Sequence, residues 1–237
     1  MENYQLVNFF YRFFSSPFVI FLHFLSAYLV VFKKKKLNLG DKIIFAFWCS
    51  CGFNIIFYYI SIVSFFIFNA PFSFIRIFLL FQYFFSIFLN PFLFFSYLLF
   101  KLPYSKKIKL VSFFIFLAVL VFSFSFIIKA AKVEIKNQEP ILIFPKLRVL
   151  TYILASFLLV FFYFFLKIIF LDVKNKIISW QNIRPLYFYY SLIVYGAIAM
   201  IQIFYFLPGF VQIIIFFTYF LIPYLIYLSR KDEIAQN

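Results

Sequence analysis

The chain has 237 residues, of which 67% are hydrophobic and only 12% charged, with a mean hydropathy of +1.05. A soluble domain of this length keeps a polar skin and cannot hide so much apolar surface, so the solvent for most of the chain is lipid. The net charge of +15 sits in short clusters between long apolar runs, which reads as membrane topology and excludes nucleic acid as a partner.

A membrane-spanning helix needs ~20 mostly apolar residues. Seven such runs follow one another, at about 14–32, 43–69, 74–100, 108–128, 149–170, 187–207 and 210–229. The expected fold is therefore all-α: one polytopic transmembrane helix bundle of about seven helices, with no second domain. The breaks between runs have physical causes. Lys33, Lys34, Lys35 and Lys36 cannot stay in hydrocarbon. Pro71 ends the second run, and Pro103 with Lys106, Lys107 and Lys109 ends the third. Residues 129–148 form the longest external loop, 172–184 form an internal one, and Pro208-Gly209 makes a tight turn. Asn90-Pro91 falls inside the third run, where the proline kinks the helix and Asn90 is placed to bond a freed carbonyl.

Orientation follows from the positive-inside rule. With the N-terminus outside, the inner segments hold 15 of the 22 basic residues. These are Lys33 to Lys36, Lys42, Lys101, Lys106, Lys107, Lys109, Lys167, Lys174, Lys176, Arg184, Arg230 and Lys231. The first run acts as its own insertion signal, since Glu2 stands where a basic leader would begin and no small-residue cleavage site follows.

The chemistry of an enzyme is missing. All seven acidic residues lie in loops, tails or helix ends, whereas intramembrane acids mark proton and ion paths. There is no HExxH, GxSxG or phosphate-cradling glycine loop. Cys49, Cys51 and His23 are too few for a closed zinc site, so neither metal nor cofactor is expected. His23 reads as a packed histidine. The 46 Phe residues carry little functional information, because any large apolar residue suits a lipid-facing position.

Neutral polar residues in the outer half offer a binding site. Gln82, Tyr83 and Ser86 lie on the third run, with Gln82 and Ser86 spaced i, i+4 on one face. Gln202 and Tyr205 end the sixth run, and Gln212 opens the seventh. Such a cavity with Phe walls suits a small apolar ligand with one or two polar handles. The same residue types also serve as hydrogen-bonded glue between helices.

The segment from Lys36 to Ser50 resembles the start of helix two in type 2 (bitter) taste receptors, with Leu37, Asp41, Ile43, Ile44 and Ser50 in register. Cys51 stands where that family has Arg. Phe100-Lys101-Leu102-Pro103-Tyr104-Ser105 is similar to the family's ending of helix three, and Pro223 to Lys231 to its ending of helix seven. The helix-one Gly-Asn pair and the glycosylation sequon of the second external loop are absent. The resemblance implies a seven-helix G-protein-coupled chemosensory receptor in the plasma membrane. A small bitter ligand would bind from outside, and Lys101, Lys106, Lys107 and Lys109 would face a heterotrimeric G protein. The rival readings are a polytopic transporter, flippase or pore subunit, which needs a water-accessible path, and an accessory membrane subunit, which needs a larger partner.

Overall fold

The computed structural model describes the chain apart from residues 1, 33, 35, 131, 137–138, 144–146, 180–181, 205–208 and 236–237. Within the helices and strands, it also leaves out the side chains of 2–12, 126–127, 129–130, 136, 139, 141, 143, 147–159, 197, 199–204, 209–213 and 232–235. The elements run α1 (Glu2–Val31), α2 (Leu39–Phe66), α3 (Phe72–Tyr83), a π-helical segment (Phe84–Leu89), α4 (Asn90–Lys101) and α5 (Lys106–Ala130). A hairpin of β1 (Lys132–Lys136) and β2 (Glu139–Ile143) follows, then α6 (Leu147–Lys174), α7 (Arg184–Phe204) and α8 (Gly209–Ala235). Apart from that hairpin the fold is all-α. Five helical stretches among the described residues are long and apolar enough to cross a membrane: Phe13–Val31, Leu39–Phe66, Phe72–Lys101, Lys106–Ser125 and Ile214–Lys231.

The bundle is apolar on its outer faces as well as in its core. On α1, Phe14, Phe18, Phe21 and Tyr28 are exposed, while Val19, Leu22, His23, Ser26, Ala27 and Val30 are buried. Both sets recur at helical spacing, so one face meets lipid and the other meets protein. Ser50, Ser61, Ser64, Asn90, Ser123 and Ser191 are buried as well, whereas Leu110, Val111, Phe114, Ile115 and Phe122 of α5 are exposed. Polar groups turn inward because hydrocarbon offers them no hydrogen bonds.

α1 packs on α2 and α8, α2 on α3 and α4, and α7 on α8. Gly52 makes room for α1, since a Cβ there would stand 2.9 Å from the Phe24 ring. Small residues let helix backbones draw together where lipid supplies no squeezing force.

The third apolar run is one continuous rod over 72–101. Pro91 has no N–H and crowds the carbonyl one turn earlier. The backbone meets this by widening to a π-helix just before it, and the Asn90 N–H bonds the Phe85 carbonyl five residues back. The Asn90 side chain does not fill a freed carbonyl as expected. It accepts a hydrogen bond from Ser50 Oγ on α2.

The 129–148 segment, expected as a loop, carries an antiparallel hairpin with Val133 opposite Leu142 and Ile135 opposite Pro140. Leu142 is buried with Ile75, Leu79 and Ile87, so the hairpin seats on the α3 end of the bundle. Arg76 Nη2 reaches the Ile128 carbonyl at 3.5 Å on the same end.

Candidate functional site

The opposite end of the bundle holds a polar vestibule. It begins with the turn into α2. Asn38 caps that helix: its side chain accepts from the Asp41 N–H at 2.8 Å, and Asp41 Oδ2 accepts from the Asn38 N–H at 3.2 Å. This reciprocal pair meets two of the free donors of a helix start. Lys34 Nζ lies 2.6 Å from Asp41 Oδ1, so the carboxylate is shared between a cap and an ion pair.

Arg230 of α8 closes the next side. It is buried and donates through Nη1 to the Leu29 carbonyl and through Nη2 to the Phe32 carbonyl at 2.8 Å. These carbonyls lie at the C-terminal end of α1 and just beyond it, where a cation is favoured by the helix dipole. On the far side, Tyr189 of α7 donates to Asp172 Oδ2 of α6. Lys167 of α6 donates to the Tyr104 hydroxyl at 2.7 Å, tying α6 to the turn after α4.

Between these ties lies a cavity of about 250 Å³, lined by Asp41, Tyr97, Lys101, Asp172, Tyr189 and Arg230 among others. Three cations, with Lys34, face two carboxylates. The volume falls below the ~300–1,000 Å³ of ordinary small-molecule sites. The vestibule therefore has room for waters or one side chain.

Of the residues that carry the resemblance, Asp41 and Ser50 take structural parts, the first as cap and the second as the α2 donor to Asn90; Leu37 is half-buried. Lys101, Lys106 and Lys107 are exposed, and half-buried Lys109 donates to the Phe100 carbonyl at 3.2 Å. They form the basic rim of the vestibule side.

The outer polar set is described only in part. Gln82, Tyr83 and Ser86 are half-buried. Ser86 Oγ lies 2.8 Å from Asn54 Oδ1 on α2 and 2.8 Å from the Gln82 carbonyl, so this hydroxyl serves as interhelical glue. Tyr205 lies outside the described residues, as do the side chains of Gln202 and Gln212.

Sequence reading passed over Tyr97, Tyr189 and Arg230. The signal it had was the placing of Asp41 and Asp172 at helix ends on the basic side, since two lone acids among cations call for partners. No protein-family model matches the chain, and no curated protein aligns with it significantly.

Proposed function

We propose that the chain is a seven-helix chemosensory receptor with its N-terminus outside. It takes up a small apolar ligand from the outer side and passes a change of helix arrangement to a cytoplasmic G protein. Counting the 72–101 rod once, the helices make seven crossings. α6 and α7, at 28 and 21 residues, meet the ~20-residue length of a span. The positive-inside rule puts the vestibule in the cytoplasm, and in a receptor of this kind the membrane is the plasma membrane.

The observation that carries this reading is the vestibule itself. Arg230 joins α8 to α1 and Tyr189 joins α7 to α6, each by polar contacts that water can replace when the ends separate. A ligand bound elsewhere would act by biasing such contacts. The exposed Lys101, Lys106 and Lys107 stand where a partner entering the opened vestibule would first meet the protein. The resemblance of 36–50 and 100–105 to type 2 taste receptors supports the same reading.

The test is nucleotide exchange. The full chain is reconstituted in lipid nanodiscs with a purified G-protein heterotrimer and a panel of bitter small molecules. Faster guanine-nucleotide exchange with any of them supports the receptor. No exchange across the panel, together with ligand-independent leakage of ions or lipid from vesicles, turns the account to a pore or flippase.

A further inference from the structure

A second polar feature lies among the buried residues, away from the vestibule. His23 of α1, Trp48 of α2, Tyr195 of α7 and Tyr219 of α8 gather into one aromatic box. The His23 ring centroid stands 6.0 Å from Trp48, 5.6 Å from Tyr195 and 5.4 Å from Tyr219. His23 is 2% exposed and Trp48 is 0% exposed. His23 Nδ1 sits 2.7 Å from the Val19 carbonyl. A carbonyl only accepts, so Nδ1 carries the ring proton and Nε2 is a bare acceptor. Trp48 Nε1–H can only donate. Both of these atoms are buried with no hydrogen-bond partner among the described residues.

One donor and one acceptor, each orphaned, thus belong to rings of the same box. Buried polar groups are almost always satisfied, and inside a membrane neither bulk water nor lipid can reach them. The neighbouring Tyr195 hydroxyl is engaged by Cys51 and Asn90, and Tyr219 has an interaction of its own. We infer that the His23–Trp48 box is a binding site for a single internal water, which accepts from Trp48 Nε1–H and donates to His23 Nε2.

The chemistry matches the ligand. Water is the smallest molecule that both accepts and donates, and the two orphan atoms need one of each. The rings that carry these two atoms are neighbours, with centroids 6.0 Å apart. An apolar guest would leave both atoms unmet, and an ion would bring charge to a site with no counter-charge. The water would join α1 to α2 at the seam where α7 and α8 also pack. This inference stands apart from the receptor reading and survives if that reading fails.

The experiment uses the full chain in nanodiscs with ¹⁵N-labelled tryptophan and histidine. The chain's other tryptophan is Trp180, so a Trp180→Phe variant assigns the Trp48 indole resonance. The expected result is a water-selective cross-peak at the Trp48 indole proton, with no through-bond nitrogen–nitrogen coupling to His23, and loss of that cross-peak in His23→Leu. A measurable coupling between the two nitrogens would mean a direct hydrogen bond and overturn the water. A Trp48 indole proton with no water cross-peak in the otherwise unaltered chain would overturn it too.

Discussion

Arg230 of α8 donates to the carbonyl of Leu29 in α1, a contact across 201 residues of chain. With its second bond to Phe32, it pins the last turn of α1 to the end of α8 and closes the vestibule. Replacing it by Ala leaves two carbonyls without their charged donor and costs about 2 kcal/mol of stability. Lys, with one compact charge and no fork, restores only part. Thermal unfolding in detergent micelles checks this. In the nucleotide-exchange assay, Arg230→Ala raises ligand-independent exchange, because the closed arrangement loses a tie. An Ala variant that unfolds at the same temperature and exchanges at the same rate would show that the pin does neither.

Ser50 and Asn90 form the buried polar contact between α2 and the proline-bearing rod. Interhelical hydrogen bonds in membranes couple by about 0.6 kcal/mol on average. A double-mutant cycle of Ser50→Ala with Asn90→Leu is therefore expected to return a coupling of about 0.5–1.5 kcal/mol by reversible unfolding in mixed micelles. Strict additivity would remove the contact from the account.

Two glycines make a matched contrast. A Cβ at Gly52 meets the Phe24 ring at 2.9 Å, whereas one at Gly196 meets nothing within 4 Å. Gly52→Val forces α1 and α2 apart and is expected to destabilise by about 1–3 kcal/mol. Gly196→Ala is expected to be neutral or to stabilise by up to about 1 kcal/mol. Parallel melts of the two variants read the difference directly, and equal melts would contradict the close packing at Gly52.

The outer set divides by role. Ser86 spends its hydroxyl on Asn54, so Ser86→Ala is expected to lower stability more than response. Gln82→Ala and Gln202→Ala are expected to weaken the ligand response more than Ser123→Ala, whose hydroxyl bonds the Val119 carbonyl of its own helix at 2.8 Å. Dose–response curves for the three variants decide it, and equal effects at Gln82, Gln202 and Ser123 would sink the outer pocket.

Much of the helix layout was legible because its boundaries have local causes. Pro71 and Pro103 fall in the breaks on either side of the third run, and the run expected at 74–100 is the rod at 72–101. Boundaries drift where a helix continues past its apolar run, as in α6, which takes in Arg148 at one end and Asp172 and Lys174 at the other. The charges and prolines of 129–148 read as a loop and mask the hairpin. Lys132-Val133-Glu134-Ile135-Lys136 alternates with the period of a strand, and that signal was present.

The contacts were less legible than the elements. Nearly every face of these helices is apolar, so periodicity does not say which side meets protein. Asn90 was legible as the residue before a helix-interior proline, but its partner Ser50 lies 40 residues away on another helix. Arg230 read as one cation in a basic tail, although it is buried against α1. His23 read as a packed residue, and so it is, yet three rings of its box come from three other helices. Such sites are made by tertiary packing, and no local pattern carries them.

The central claim is a seven-crossing bundle whose vestibule faces the cytoplasm, and a topology measurement tests it most directly. One acceptor tag for N-linked glycosylation is placed after Asn237 and another, in a separate variant, in the turn between β1 and β2, and each is expressed with microsomes. The account predicts glycan on the hairpin and none on the C-terminal tag. A glycosylated C-terminal tag would mean an even number of crossings or the reverse orientation, and would contradict the receptor.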